Sequence, residues 1–405
     1  MEKSFKGSFS SVAANENNPN WNNLIKRADS LYSRSGDIRS EFKRDCTRIL
    51  HCNAYRRLKH KTQVFFSPTS DHVCTRIEHV NYVDSISNTI ATYLGLNVEL
   101  TKAIAIAHDL GHSPFGHSGE KILNKISLQE LNQSFWHEKN GVHFVDDIEL
   151  LEDDNGDLKN LNLTYAVRDG IISHCGEIDE NALKPRAEYI DLNQYIKPNQ
   201  YNPYTWEGCV VKIADKISYI GRDLEDALHL KLLTKENIDE LKQILNIDAD
   251  MTLNNTNIIN DLIVDLCNNS TVDKGLCFSE EKLNLIDNIK KFNYKYIYFN
   301  SRMEASNEYF NVVINRIYVT LKNLYSEDNI AENFENAQKI YPKTISEFKN
   351  WIIKYFPIKE ERNSSFKNKL IYEYSKQDYC KAVIDYIAGM TDNYAISIYN
   401  EIISF

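Results

Sequence analysis

Glycine and proline are scarce in this chain, and their scarcity constrains the fold more than any other feature. Only 8 Pro and 14 Gly are spread over 405 residues, so long stretches lack the residues that end helices and form turns. Such a sequence favours long helices over an all-β fold, which needs a turn after every short strand. We therefore expect an all-α protein.

One helix can be traced in detail. Four apolar residues recur at i, i+3, i+4 and i+7, the spacing of a single helical face: Leu100, Ala103, Ile104 and Ala107. The face ends at His108, and Gly111 and Pro114 predict a break after it. We expect helix again over residues 118–123. A side chain at such a helix end, followed by a turn, would be open to a ligand.

The segment 107–117 concentrates metal-binding side chains. Its eleven residues hold three histidines and an aspartate: His108, Asp109, His112 and His117. Imidazole and carboxylate together suit a divalent metal, and a single adjacent pair cannot fill a coordination sphere. His79 and Asp215, each in a helical stretch, would complete a set of two imidazoles and two carboxylates. Spacing alone leaves open the alternative that these are ordinary surface or core residues.

Composition narrows the class of protein. The formal charge of −10 argues against a general nucleic-acid coat, which needs clustered Lys and Arg. No apolar run approaches the 18 residues of a membrane span, and the N-terminus does not resemble a secretory signal. The 8 Cys show no C-x-x-C spacing, which indicates reduced thiols. We expect a globular cytoplasmic protein without a membrane partner.

The order His79, His108-Asp109, Asp215 resembles the pattern of HD-domain metal-dependent phosphohydrolases. Further blocks resemble bacterial dGTP triphosphohydrolases in the family order, at residues 44–45, 48–51, 55–59, 61–65, 161–164, 214–219 and 385–392. The resemblance spans residues 44–392, nearly the whole chain. It implies an all-α fold with an HD phosphohydrolase helical core and appended C-terminal helices.

The resemblance also suggests a division of the chain, whose length exceeds the roughly 250–300 residues of a usual single core. Residues 1–43 would form an N-terminal arm. Residues 44–235 would be the HD phosphohydrolase core with the metal and nucleotide site. Residues 236–405 would form a C-terminal helical region that packs on the core and contributes to an oligomer interface.

The metal site follows from the same resemblance. The implied ligands are His79, His108, Asp109 and Asp215, which would hold Mn, Fe, Zn, Co or Ni. The carboxylates leave room for a second ion, Mg²⁺ carried with the triphosphate.

Three residues are implied in catalysis. His117 and Glu120 stand at i and i+3 and share a helical face if the helix has resumed. The resemblance implies that His117 is the general acid toward the 5′ oxygen, that Glu120 tunes it, and that His137 lies in the phosphate or proton-transfer neighbourhood. The alternative for His117 is a capping or structural histidine. His143 and His174 have no comparable support and are expected to be structural.

The implied substrate contacts are Gln63, Arg76, His112, Lys216, Tyr219 and Asp223. Tyr219 and Asp223 lie at i+4 and i+8 from Asp215, so the three can share one face. By resemblance Arg76 and Lys216 contact phosphates, as His112 would, Tyr219 packs under the sugar, and Asp223 with Gln63 holds the 3′ hydroxyl. The alternative for Tyr219 alone is a core aromatic. No motif specifies the base.

The sequence therefore predicts a metal-dependent hydrolase that cleaves a dNTP, with dGTP as one candidate, to deoxynucleoside and inorganic triphosphate. The resemblance implies a homo-oligomer and allows a nucleotide or single-stranded DNA effector. Two alternatives stay open: an HD-type nucleotidase or phosphodiesterase acting on another phosphoester, and a nucleotide-binding regulator without turnover.

Overall fold

A computed structural model describes residues 7–30, 36–66, 72–175, 181–248, 254–358 and 363–404. The first nine α-helices are α1 (Trp21–Leu24), α2 (Glu41–His51), α3 (Asn53–Arg57), α4 (Arg76–Leu94), α5 (Val98–Ala107), α6 (Gly116–Leu131), α7 (His137–His143), α8 (Tyr165–Ser173) and α9 (Trp206–His229). The others are α10 (Lys235–Ile244), α11 (Asn255–Asn269), α12 (Glu280–Asn293), α13 (Ser301–Lys322), α14 (Ile330–Ile340), α15 (Pro342–Ile352), α16 (Lys376–Ala388) and α17 (Asp392–Ile403).

The chain also forms shorter helical turns and two strands. Single 3₁₀ turns span Leu58–His60 and Leu192–Gln194, and π-helical turns follow α7 at Phe144–Ile148 and α12 at Tyr294–Tyr298. Over the described ranges the strands are β1 (Leu150–Glu152) and β2 (Leu158–Asn160), which pair antiparallel as one hairpin. The predicted all-α class is confirmed.

The chain forms two compact units, each built from segments distant in sequence. The first contains the described residues of 1–47, 69–108 and 163–305, and the second those of 48–68, 109–162 and 306–405. The division at residues 43 and 235 stays a prediction from the sequence. In the part of the chain that the structure describes, no helix is long and apolar enough to cross a membrane.

In the first unit, α4, α5, α8 and α9 pack against one another. Helix α4 begins with a capping box, in which Thr75 and Glu78 each accept a hydrogen bond from the other's backbone N–H. The helix ends at Gly95, whose φ of 82° lies in the left-handed region that favours glycine. These boundaries set the register in which α4 presents its buried residues, His79 among them, to the neighbouring helices.

Helix α5 matches the face read from the sequence. The side chain of Asn97 accepts hydrogen bonds from the N–H groups of Glu99 and Leu100 at its start, and the helix ends at Ala107 with His108 as its C-cap. The four apolar residues of the predicted face are buried. A Cβ on Gly170 of α8 would lie 2.6 Å from Ile104, so the two helices approach closely because residue 170 has no side chain.

In the second unit, α6 packs on α16, and α15 packs on α14, α16 and α17. The predicted helix after the 107–117 segment begins at Gly116, directly after Phe115, whose φ is 63°. Gly111 lies against α7, where an added Cβ would come within 2.1 Å of the His137 carbonyl oxygen and 2.2 Å of the Gly141 nitrogen. The loop from 109 to 115 is thus held close to α7 by the absence of a side chain at residue 111.

Candidate active site

Three predicted metal ligands converge in the first unit. His79 on α4, His108 at the end of α5 and Asp215 on α9 each offer a ligand atom, and these atoms lie within 4.8 Å of one another. Nε2 of His79 is 2.9 Å and Nε2 of His108 is 3.9 Å from Oδ1 of Asp215. Both histidines are buried. Two imidazoles and a carboxylate in a protected site are a donor set that fits a divalent transition metal.

A hydrogen bond to the backbone fixes the orientation of the His108 ring. Its Nδ1 lies 2.7 Å from the carbonyl oxygen of Ala105. A carbonyl only accepts, so Nδ1 donates this hydrogen bond, and Nε2 is the nitrogen nearer Asp215. A hydrogen bond that orients a ligand histidine through its other nitrogen is a regular feature of metal sites. For His79 the corresponding neighbour is the Ser218 hydroxyl, 3.4 Å from Nδ1.

The predicted acid residues form a cluster in the second unit. Oε2 of Glu120 on α6 is 2.8 Å from Nδ1 of His137, the first residue of α7, and 3.8 Å from Nδ1 of His117. The side chain of His117 is 64% exposed, whereas that of His137 is only 12% exposed. Glu120 therefore stands between an accessible imidazole and a buried one.

The pKa values of His137 and Glu120 in this cluster are shifted far from their ordinary values. Burial opposes ionisation of His137, but the carboxylates of Glu138 and Glu120 outweigh it and raise the pKa of His137 to about 9. Burial likewise opposes the Glu120 carboxylate, and the neighbouring imidazoles of His137 and His117 nevertheless hold its pKa well below the usual range. At neutral pH His137 and Glu120 are thus an ion pair, and Glu120 can orient His117 while remaining charged.

His112 and Asp109 join the same cluster. Nε2 of His112 lies 3.1 Å from Oδ1 of Asp109, and its ring stacks on that of His137 with centroids 3.8 Å apart. His112, His117, Glu120 and His137 also offer ligand atoms within 4.8 Å of one another, so this group has the donors for an ion as well as for proton transfer. Asp109, the fourth predicted ligand, follows His108 directly in the chain.

Comparison with known proteins identifies the family. The HD domain model matches residues 76–220, and the phosphohydrolase-associated domain model matches residues 319–401. A deoxyguanosinetriphosphate triphosphohydrolase-like protein of Caldanaerobacter subterraneus subsp. tengcongensis is 34% identical over 366 residues, which cover 90% of this chain and 86% of the relative. The chain belongs to the deoxyguanosinetriphosphate triphosphohydrolase-like family of HD-domain proteins.

Other family members agree over a similar length. The proteins of the same name from Rickettsia bellii and Rickettsia felis are each 32% identical, over 90% and 94% of this chain and 92% and 96% of their own lengths. The recognition made from the sequence is confirmed. As a member of this HD family the chain is a phosphohydrolase, and its His/Asp cluster lies within the matched HD segment.

The predicted substrate residues of the first unit lie on α4 and α9. Arg76, the first residue of α4, and Lys216 and Asp223 on α9 are buried, and Tyr219 is half-buried. Burial raises the pKa of Asp223 to about 7, against the opposing effect of a hydrogen bond from the Tyr298 hydroxyl. Asp223 is therefore balanced between its charged and neutral forms near neutral pH.

In the second unit, Gln63 is buried. It lies in the block 61–65, whose residues form hydrogen bonds to the 107–117 segment and to the C-terminal block 385–392. Nζ of Lys61 donates to the carbonyl oxygens of His112 and, at 3.1 Å, of Ala388. One carboxylate oxygen of Asp392 accepts from the N–H of Thr62 at 2.8 Å and the other from the N–H of Phe115 at 2.8 Å. The C-terminal block, residues 385–392, is therefore bonded to the loop 109–115, which carries Asp109 and His112.

Sequence reasoning assigned no functional role to two residues that contact the site. His174, at the end of α8, lies with its ring centroid 4.9 Å from that of His108, and its Nδ1 is 2.6 Å from the Ile171 carbonyl oxygen. Tyr298 donates to Asp223 at 2.5 Å. The sequence feature that could have indicated His174 is its place at the end of a short apolar helix. No local sequence pattern points from Tyr298 to Asp223, which is 75 positions away.

Proposed function

We propose that this phosphohydrolase is a dNTP triphosphohydrolase, which cleaves a dNTP to deoxynucleoside and inorganic triphosphate. The observation that carries the proposal is the convergence of His79, His108 and Asp215 within 4.8 Å in a chain 34% identical to a dGTP triphosphohydrolase-like relative. The relatives' name supports a deoxynucleoside triphosphate as substrate, with dGTP the first candidate.

The proposed metal ligands are His79, His108, Asp109 and Asp215. The donor set suits Mn, Fe, Zn, Co or Ni, and Mg²⁺ would enter with the triphosphate. A metal bound there would lower the pKa of a coordinated water and polarise a phosphoryl oxygen. The chain's part is to orient the imidazoles, as the Ala105 carbonyl does for His108 by accepting from its Nδ1.

Proton transfer to the leaving group is assigned to the acid cluster. Water attacks the α-phosphorus, the bond from phosphorus to the 5′ oxygen breaks, and the 5′ oxygen takes a proton. We assign that proton to His117, because its exposed ring can reach a substrate. Glu120 orients the ring and stabilises its charged form, and the buried His137 keeps Glu120 ionised.

Substrate binding follows the predicted contacts. Arg76 and Lys216 supply positive charge for the triphosphate, with His112 as a further phosphate neighbour. Tyr219 packs against the sugar, where its ring would collide with a 2′ hydroxyl. Asp223 and Gln63 hold the 3′ hydroxyl, and the hydrogen bond from Tyr298 orients the Asp223 carboxyl for that contact.

The proposal includes the setting of the enzyme. Cytoplasmic location agrees with the described cysteines, none of which forms a disulfide. Assembly as a homo-oligomer and control by a nucleotide or single-stranded DNA effector are proposed on the family resemblance alone.

The deciding experiment is a product analysis. Purified protein is incubated with each of the four dNTPs and Mn²⁺ or Mg²⁺, and the products are resolved by ion exchange. Deoxynucleoside and triphosphate as the first products support the proposal, and an Asp109→Ala variant serves as the inactive control. An initial dNMP or dNDP would indicate a nucleotidase or pyrophosphatase instead, and binding without turnover would indicate a regulator.

A further inference from the structure

The backbone just before His117 has an unusual conformation. Phe115 has a φ of 63° and a ψ of 24°, which lie in the left-handed region that residues with a Cβ rarely adopt. Gly116, the first residue of α6, has a φ of 57°. The chain therefore enters α6 through two left-handed residues, and His117 comes next. A phenylalanine keeps such a conformation only where the surrounding structure holds it.

Aromatic packing restrains Phe115 in this conformation. Its side chain is buried, and its ring stacks on that of Phe310 on α13, with centroids 4.2 Å apart and planes 5° from parallel. The ring of Phe66 packs edge-on against both, at 5.8 Å from Phe115 and 5.4 Å from Phe310. Since stacked and edge-on contacts favour particular ring positions, these neighbours hold the Phe115 side chain and with it the start of α6.

A second contact joins α13 to the other side of His117. The Ser118 hydroxyl donates to the side-chain oxygen of Asn307 at 2.5 Å. Asn307 and Phe310 are three residues apart on α13 and therefore lie on one face of it. One face of α13 thus contacts the residues two before and one after the proposed acid, namely Phe115 and Ser118.

The position of the His117 ring depends on this backbone because its side-chain contacts are long. The side chain is 64% exposed, and its Nδ1 lies 3.8 Å from Oε2 of Glu120, which is longer than a hydrogen bond. The ring centroids of His112 and His137 lie 5.2 Å and 5.7 Å from that of His117. A shift in the start of α6 would therefore move the imidazole.

We propose that Phe310 and Asn307 are positioning residues for His117, which fix the start of α6 and through it the place of the imidazole beside the leaving oxygen. Both act through His117 and not on the substrate. They lie outside residues 76–220 and 319–401, the two segments that the family models match. This role rests on the proposed function of His117 as the general acid.

Steady-state kinetics in two backgrounds tests this role. Asn307→Ala and Phe310→Leu should each lower kcat by about tenfold with KM and metal content unchanged, because a small displacement of a reacting group is costly. In a His117→Ala background the same substitutions should leave kcat nearly unchanged, because no acid remains to be positioned. Equal losses of kcat in both backgrounds would show that α13 acts only on the overall structure, and would overturn the proposal.

Matched controls separate positioning from general destabilisation. Asn311→Ala makes the same substitution one turn along α13, at an amide that accepts from Asn315 of the same helix, and it should keep the wild-type kcat. Phe334→Leu changes a buried ring on α14, and it should lower the thermal unfolding midpoint while keeping kcat. A tenfold loss of kcat in either control would contradict the proposal.

The hydrogen bond can be tested if Phe310→Leu does not fold. Asn307→Ala, Ser118→Ala and the double variant should all lower kcat by the same factor, because each removes the same hydrogen bond. Losses that multiply in the double variant would show that the two side chains act independently, and would contradict the proposal.

Nuclear magnetic resonance follows the His117 ring without turnover. In protein with isotope-labelled histidine, the ring signals of His117 are assigned by their loss in His117→Ala. They should shift in Asn307→Ala and Phe310→Leu and keep their wild-type positions in Asn311→Ala. Such shifts would support the positioning of His117 even if product analysis refuted triphosphate release. Unchanged ring signals in both α13 variants would overturn the proposal, whichever phosphoester the enzyme cleaves.

Discussion

The carboxylate of Glu120 interacts with two histidines at once. It lies 2.8 Å from one imidazole and 3.8 Å from another, and those neighbours keep it ionised although it is largely buried. His79 and His108 are placed differently, since both rings lie beside the Asp215 carboxylate. At the scale of single residues, we propose that the histidines beside Asp215 bind a metal and that the histidines beside Glu120 carry a proton.

The metal assignment predicts a linked loss. His79→Ala removes one imidazole from the cluster, so the purified variant should lose both its bound metal and its activity. Elemental analysis after dialysis, together with a turnover assay, measures the two properties on the same sample. His51→Ala, which removes an exposed histidine on α2, should retain both. An active, metal-free wild-type protein in excess chelator would contradict the assignment.

The acid assignment predicts the opposite pattern. His117→Ala should keep its metal, fold and substrate affinity while kcat falls by roughly 10²–10⁴, the usual contribution of a positioned general acid. Glu120→Gln should lose less, because the imidazole remains and only the charge behind it is removed. Steady-state kinetics and elemental analysis distinguish the roles.

His137 offers the alternative acid. With a pKa of about 9 it carries a proton at neutral pH, although it is buried. If His117→Ala turns over near the wild-type rate while His137→Ala is inactive, the acid is His137. If His117→Ala is purified without metal, the four-residue cluster binds an ion and the mechanism changes accordingly.

The two ends of helix α7 contact different neighbours. Its first residue, His137, pairs with Glu120, and its last, His143, lies 2.8 Å from Asp147 and 2.9 Å from Asp385 of α16. Burial opposes the charge on His143, but Asp385 and Asp147 outweigh it and raise the pKa of His143 to about 10. The helix is thus anchored by a half-buried imidazolium.

This anchor predicts a pH-dependent stability. A histidine whose pKa is raised on folding stabilises the native state fully below its unfolded value near 6.5 and loses that contribution as pH rises through about 10. His143→Gln should therefore lower the free energy of unfolding at pH 6 by on the order of 3 kcal/mol, the usual cost of breaking a buried ion pair. The difference from wild type should shrink toward pH 10.

Urea unfolding at a series of pH values measures that difference. His60→Gln, the same substitution at an exposed histidine, is the control and should differ little from wild type at any pH. A cost for His143→Gln that stays constant between pH 6 and pH 10 would show that packing, and not the imidazolium, stabilises this end of α7.

At the scale of the whole molecule, helix packing within each unit turns separate sequence blocks into sites. In the first unit the contacts among α4, α5 and α9 bring their histidines and aspartate together. In the second, Asp392 bonds to Thr62 across 330 positions of sequence. Since His79, His108 and Asp215 come from three helices, an ion bound by them as we propose would tie the helices together and stabilise the folded protein.

Metal removal should therefore lower the thermal unfolding midpoint. A ligand present at 100 times its dissociation constant adds about 2.7 kcal/mol to the stability of the state that binds it, which corresponds to a shift of several degrees. Scanning calorimetry with and without chelator, followed by restoration with Mn²⁺, measures the effect. His79→Ala should show no shift on chelation; an equal shift in that variant would place the stabilising ion elsewhere.

The sequence by itself determined the features that depend on the spacing of residues within one segment and on the order of motifs along the chain. It predicted the buried apolar face of α5 that ends at His108, the placement of Asp215, Tyr219 and Asp223 along one helix, and the family. These follow from a 3.6-residue period and from blocks in a recognisable order. Residues three or four apart on one helix are neighbours because of helix geometry, independently of how that helix packs.

Only the tertiary structure decided which helices meet, and with them the long-range partners. It paired Glu120 with His137, put Tyr298 on Asp223, and placed the His174 ring beside that of His108. No spacing along one helix reports such pairs, because they depend on how separate elements pack and on where backbones approach closely, as at Gly111. The chemistry of each residue could be read from the chain, but its partner was set by packing.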